Sequence, residues 1–96
     1  MITIRIRSIV GLKEVLGHGM IELPVPRGTT VLTLIALMVE RWGAGLSPYF
    51  SDLDEARPLP HVRVLVNGQD IAFLHGTATR LQEGDEVLML PLLGGG

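Results

Sequence analysis

Glu86-Val87-Leu88-Met89-Leu90-Pro91-Leu92-Leu93-Gly94-Gly95-Gly96 is the stretch whose reading decides the fold. Its first half is an apolar run of strand length with almost no polar alternation, the pattern of a central strand covered on both faces. Its second half leaves that strand through a proline and runs into three glycines. Lacking a Cβ, glycine takes backbone angles closed to other residues and can lie close against a foreign backbone. Fully extended, residues 91–96 reach at most roughly 20 Å, enough to carry a carboxylate into a partner's active site. Taken alone, the glycines are read equally well as a solvated chain end.

A central strand needs neighbours, and the chain supplies them. Ile2, Ile4 and Ile6 alternate with Thr3, Arg5 and Arg7, the period-2 pattern of a strand with one wet face, expected over about residues 2–9. A second strand follows near Met20 to Val25, where Pro24 and Pro26 place it at a sheet edge because proline cannot donate to a ladder on both sides. Val62, Val64 and Val66 alternate with Arg63 and Leu65 and run into Asn67-Gly68, a strong hairpin-turn signal, with a return beginning at Asp70-Ile71. Residues 73–79 read as loop and Glu83-Gly84-Asp85 as a turn into the last strand.

Between the two halves lies a helix. Val31, Leu34, Ile35, Met38, Val39 and Trp42 fall at i, i+3, i+4, i+7, i+8 and i+11, an apolar stripe of about three turns. Thr30 supplies the N-cap and Gly43 the residue past the C-terminus. Leu32, Ala36 and Leu37 widen the apolar arc, either under the following loop or as a contact patch. Residues 43–60 form a long connection, with Ser47-Pro48 starting a short turn of helix. A helix over one face of a mixed sheet of four to five strands, the last strand central and parallel to the first, makes an α+β roll in two layers.

Composition bounds the function. The 96 residues form one expected domain, 1–96, with a flexible tail from about 91–96, and 47% hydrophobic residues are ample for a core. Eight Lys+Arg against ten Asp+Glu give a net charge of −2, with no basic stripe to track phosphates, so nucleic acid is not an expected partner. The absence of cysteine excludes disulfides, thiolate nucleophiles and cysteine-based metal sites. The longest apolar run, Val31 to Val39, falls well short of the roughly 20 residues that span a bilayer, and the N-terminus alternates instead of forming a signal-peptide core. No membrane association and a cytoplasmic location are expected.

The helix opening at Thr30-Val31, the run Val64-Leu65-Val66-Asn67-Gly68-Gln69-Asp70-Ile71, the turn Leu81-Gln82-Glu83-Gly84-Asp85-Glu86-Val87 and the end Pro91-Leu92-Leu93-Gly94-Gly95 occur in one order along nearly the whole chain. In that order they resemble the β-grasp sulfur carriers of the MoaD/ThiS type, which are ubiquitin-like proteins. The resemblance is closest to the small subunit of molybdopterin synthase, because thiamine-type carriers are shorter and lack a connection like residues 43–60. It implies a non-catalytic carrier whose C-terminal carboxylate is adenylated by an E1-like enzyme using ATP and converted to a thiocarboxylate. The large subunit of molybdopterin synthase would receive the sulfur for the dithiolene of a molybdenum or tungsten cofactor. Thiamine, cysteine or another thio-metabolite as the sulfur's destination, or a role as protein modifier, remain alternatives. The family pattern ends in two glycines and this chain in three. The resemblance therefore places the reactive carboxylate on Gly96, or on Gly95 if the end is trimmed, with Gly94 and Gly95 threading it.

Other residues carry two readings each. Leu92 and Leu93 either anchor the tail in a partner groove or finish this chain's own core. Phe73 and Leu74 either meet a partner or plug the core. Glu83, Asp85 and Glu86 either face a basic patch on a partner or make a polar turn, and Asp52, Asp54 and Glu55 read as a solvated turn. His18, His61 and His75 are too scattered to form a metal site, so neither a metal nor a bound cofactor is expected.

Overall fold

A computed structural model describes residues 1–8, 17, 19–43 and 62–91. The alternating isoleucines form β1, Ile2–Ser8, with Ile2, Ile4 and Ile6 buried and Arg5 and Arg7 exposed. β2, Met20–Val25, pairs antiparallel with it, Ile2 opposite Val25 and Arg7 opposite Met20, and buries Leu23 and Val25. β3, Val62–Val66, turns through Asn67 (φ 51°) and Gly68 (φ 83°) into β4, Gln69–Asp70. Two successive positive φ values are what a two-residue hairpin of right-twisted strands demands, and Asn-Gly meets that demand at least strain. β5, Glu86–Pro91, completes a five-stranded sheet of order β2-β1-β5-β3-β4. The last strand is central as expected, parallel to β1 and antiparallel to β3, and β2 is an edge as its prolines require.

The helix α1 spans Val31–Trp42. The Thr33 amide donates to Thr30 Oγ1 at 3.2 Å, satisfying one of the unpaired donors of the first turn, and Gly43 ends the helix with φ 59° and its N–H on the Val39 carbonyl. Thr30→Ala is expected to cost about 1 kcal/mol, read as a lower urea midpoint at unchanged slope. The helix start is also tied down by the segment before β5: the Val31 amide donates to the Thr79 carbonyl (3.0 Å), and the Leu81 amide to that of Thr29 (2.9 Å).

Helix and sheet meet in one core. Val31, Leu34, Ile35 and Met38 pack with Ile4, Ile6, Val25, Val62, Val64, Val87 and Met89, and Leu37, Val39 and Trp42 flank that cluster half-buried. Leu37 therefore belongs to the helix–sheet packing, while Ala36 is exposed.

Three expectations are corrected. β5 is not covered on both faces: Val87 and Met89 are buried, but Leu88 and Leu90 are only half-buried. A two-layer roll has one helix and so covers one face of its sheet. The short return strand β4 is Gln69–Asp70, ending where the return was expected to begin, and the segment read as loop holds two 3₁₀ turns, Ile71–Phe73 and Gly76–Ala78. Phe73 is no core plug, since it is 80% exposed, and Ile71 and Leu74 take the inward places instead. The connection 44–61, with the Ser47-Pro48 turn, lies outside the described residues.

Candidate functional site

The candidate site begins where β5 ends. β5 is hydrogen-bonded on both sides, to β1 through the registers Arg5–Glu86 to Ser8–Met89, and to β3 from Val66–Val87 to Val62–Pro91. A strand held along both edges cannot swing, so Pro91 leaves the sheet at a fixed place and in a fixed direction. Leu92, Leu93, Gly94, Gly95 and Gly96 follow and lie outside the described residues. Pro91 has no N–H to donate and stands opposite Val62, the first residue of β3.

The origin of β5 is equally well fixed. Asn67 Nδ2 donates to Asp85 Oδ1 (3.0 Å), and the Glu86 amide donates to Asn67 Oδ1 (3.0 Å). The Asn67 amide donates to the Glu86 carbonyl at 2.8 Å. Both ends of the side-chain amide are thus committed, and its orientation follows from its partners. Asp85 Oδ2 accepts from the Gln82 amide (2.8 Å) and Glu83 Oε1 from the Thr3 amide (3.2 Å), while the Arg5 amide donates to the Asp85 carbonyl (2.9 Å). Glu86 pairs with Arg7 at 3.7 Å. Of the two readings of Glu83, Asp85 and Glu86, the polar turn prevails, because each carboxylate has a partner within the fold.

The open face of the sheet is mixed. By strand alternation, the half-buried Leu65, Leu88 and Leu90 share it with exposed Arg5, Arg7 and Arg63. Leu88 stands between Arg7 and Leu65 in register, and Leu90 beside Arg63. Arg63 Nε lies 3.3 Å from Asp70 Oδ2. Such exposed ion pairs contribute a few tenths of a kcal/mol to about 1 kcal/mol. The leucines thus form an apolar strip along the last strand, bordered by cations, leading to the exit at Pro91.

Phe73, a candidate partner contact, ends the 3₁₀ turn beyond β4, capped by Asp70 Oδ1, which accepts from the Ala72 amide at 2.9 Å. Sequence reasoning passed over the Asn67 clamp and the open-face leucines. The clamp leaves no periodic trace, since its partners are 18 and 19 residues apart. The leucines were masked by the uniform apolarity of β5, although Arg5, Arg7 and Arg63 marked that face as wet. Among the described residues, no group of three or more His, Cys, Asp or Glu could hold a metal ion, and no helix is long and apolar enough to cross a membrane.

Comparison with known proteins places this geometry. Small archaeal modifier protein 3 of Haloferax volcanii is 31% identical over 93 residues, 97% of this chain and 98% of that protein. A putative sulfur carrier protein of Archaeoglobus fulgidus is 30% identical over 87 residues, covering 91% and 96%. A Haloferax volcanii protein whose solution structure is known shares the fold with a TM-score of 0.83 at 29% identity, over 99% of this chain and 87% of that one. The model of the ThiS family matches residues 11–96, a span that takes in the helix, strands β2 to β5 and the glycine end. The chain therefore belongs to the ThiS family, as a ubiquitin-like β-grasp protein of the ThiS/MoaD sulfur-carrier type.

Proposed function

We propose that the Gly96 carboxylate is adenylated by an E1-like enzyme using ATP, converted to a thiocarboxylate, and inserted into the large subunit of a molybdopterin synthase, which takes the sulfur. The observation that carries this reading is the position of β5: a strand paired along both edges opens at Pro91 onto a chain end of two leucines and three glycines. Pairing along both edges fixes the place of Pro91, and glycines enter a narrow channel without steric cost.

The chemistry needs activation. A terminal carboxyl with a reference pKa near 3.3–3.7 is an anion at neutral pH and resists nucleophiles. In the adenylate, attack at the carbonyl by a persulfide's terminal sulfur expels AMP and forms an acyl disulfide, and a second thiol then attacks the donor's sulfur, releasing the thiocarboxylate and leaving the two thiols joined as a disulfide. The carrier lacks cysteine altogether, so the cargo rides on the backbone carboxyl. Gly94 and Gly95 thread the channel, and Leu92 and Leu93 anchor the tail's base in a groove of the partner. Phe73 offers a separate aromatic contact. ATP is bound by the adenylating partner, and this chain supplies no catalysis of its own.

A second reading, in which the same activated carboxyl joins a target lysine, is favoured by the name of the Haloferax relative, a modifier protein. Delivery of the sulfur to thiamine, cysteine or another thio-metabolite shares every step up to the thiocarboxylate. Intact mass separates the readings. Replacement of one carboxyl oxygen by sulfur adds about 16 Da to the C-terminal peptide of protein taken from its native cells. Lysine adducts without that mass would support the modifier. An end left unaltered after incubation with the E1-like enzyme, ATP and a sulfur donor would sink both.

The docking strip has its own test. Leu90→Glu is expected to weaken binding to the adenylating enzyme at least about tenfold, because a carboxylate there must be desolvated against apolar surface. Titration calorimetry reads the loss, and unchanged affinity would remove the open face from the interface.

A further inference from the structure

The six basic side chains of the described surface, Arg5, Arg7, Arg27, Arg41, Arg63 and Arg80, are all exposed, and all are arginine. Of the eight basic residues in the chain, seven are arginines and one, Lys13, is a lysine. Contact geometry does not account for the choice. Arg7 meets Glu86 through Nη1 at 3.7 Å and Arg63 meets Asp70 through Nε at 3.3 Å, single contacts that an ammonium could make. Neither is the two-pronged arrangement in which a guanidinium is irreplaceable. Arg41 lies over the Trp42 ring at 5.0 Å, a place a lysine also fills. Arg5, Arg27 and Arg80 form no ion pair with a described residue.

What separates the two cations is nucleophilicity. A lysine loses its proton with modest cost and then attacks acyl groups, whereas a guanidinium stays protonated and inert at physiological pH. That difference matters for a protein whose own end becomes an acylating agent. The open sheet face brings it close: Arg63 stands opposite Leu90, one residue before Pro91, and Arg7 opposite Leu88. A chain end of roughly 20 Å reach can fold back over that face or touch it on a second copy.

We infer that arginine at every described basic position keeps those side chains from capturing the activated end, so that the acyl group passes to a partner's sulfur or amine acceptor and not to the basic side chains of this fold's described surface. The inference deepens the reading above and rests on it. The reaction suppressed is attack of an unprotonated side-chain amine on the acyl-adenylate carbonyl. A C–N bond forms, the C–O bond to AMP breaks with its electron pair leaving on the phosphate, and the amine's proton goes to solvent.

The test compares two full-length chains, both carrying Lys13→Arg so that no lysine remains in the reference, one of them also carrying Arg7→Lys, Arg63→Lys and Arg41→Lys. Each is incubated with the E1-like enzyme and ATP and without a sulfur donor, and adducts are counted per adenylate formed, measured by ATP–pyrophosphate exchange. The lysine-bearing chain is expected to accumulate at least about tenfold more self-adduct, as a lactam about 18 Da below the monomer or a dimer about 18 Da below twice its mass. Peptide mapping should place the links on residues 63 and 7, on the open face beside Leu90 and Leu88, ahead of residue 41, which belongs to the helix on the other side of the sheet. Equal adduct yields at equal exchange overturn the inference alone. Absence of exchange with both chains overturns the activation reading and this inference with it, and the exchange assay tells the two failures apart.

Discussion

Removing Gly95 and Gly96 is expected to abolish thiocarboxylate formation, by at least about a hundredfold, while leaving the unfolding midpoint where it was. The deletion shortens the reach beyond Pro91 by about 7 Å at 3.3–3.6 Å per residue. A displacement of about 1 Å from the reacting position is already enough for a hundredfold loss. Stability is untouched because the two residues carry no side chain to pack in the core and lie beyond every buried residue of the described fold. The measurement pairs ATP–pyrophosphate exchange and C-terminal mass with a urea melt. Normal thiocarboxylate on the shortened chain would make the glycines an inert end and overturn the carrier reading.

Leu34→Ala has the opposite signature. Leu34 is wholly inaccessible and packs in one cluster with Ile4, Ile6, Val87 and Met89. Removing its side chain's outer carbons loses their burial and leaves a cavity that helix and sheet close only in part, at a cost of about 2–5 kcal/mol. In a small domain whose total stability is of order 5–15 kcal/mol, that lowers Tm by roughly 10–20 °C. Activation per folded molecule should survive at low temperature, because the exit at Pro91 is set by sheet pairing and not by Leu34. A loss below about 1 kcal/mol would mean that the helix is not the cover of this core.

The two substitutions act on different parts of one device: a rigid roll that fixes where a strand ends, and an end without side chains that does the reaching. The clamp of Asn67 on Asp85 and Glu86 belongs to the first part. It fixes the start of β5 as the ladders fix its length, so the exit is defined relative to the open face beside it.

Much of this was legible in the residues. Ile2, Ile4 and Ile6 announced β1, and the stripe from Val31 to Trp42 announced the helix, with Thr30 and Gly43 at its ends. Asn67-Gly68 announced the hairpin, and the uniform apolarity of β5 announced a central strand. These signals are local, since each depends on neighbours within a turn of helix or a few residues of strand, where side-chain periodicity and backbone conformation are coupled directly. The candidate tail, Leu92 to Gly96, was read from sequence alone. Tertiary structure decided what depends on distant partners. It showed which face of β5 the helix leaves open, because a strand apolar on both sides carries no period to reveal it. It turned Phe73 outward and Ile71 inward, because the short β4 ends in a 3₁₀ turn. And it drew Glu83, Asp85 and Glu86 into bonds with Thr3, Asn67 and Arg7, since a carboxylate's partner is set by which strands lie side by side, a property of the whole sheet that no single stretch contains.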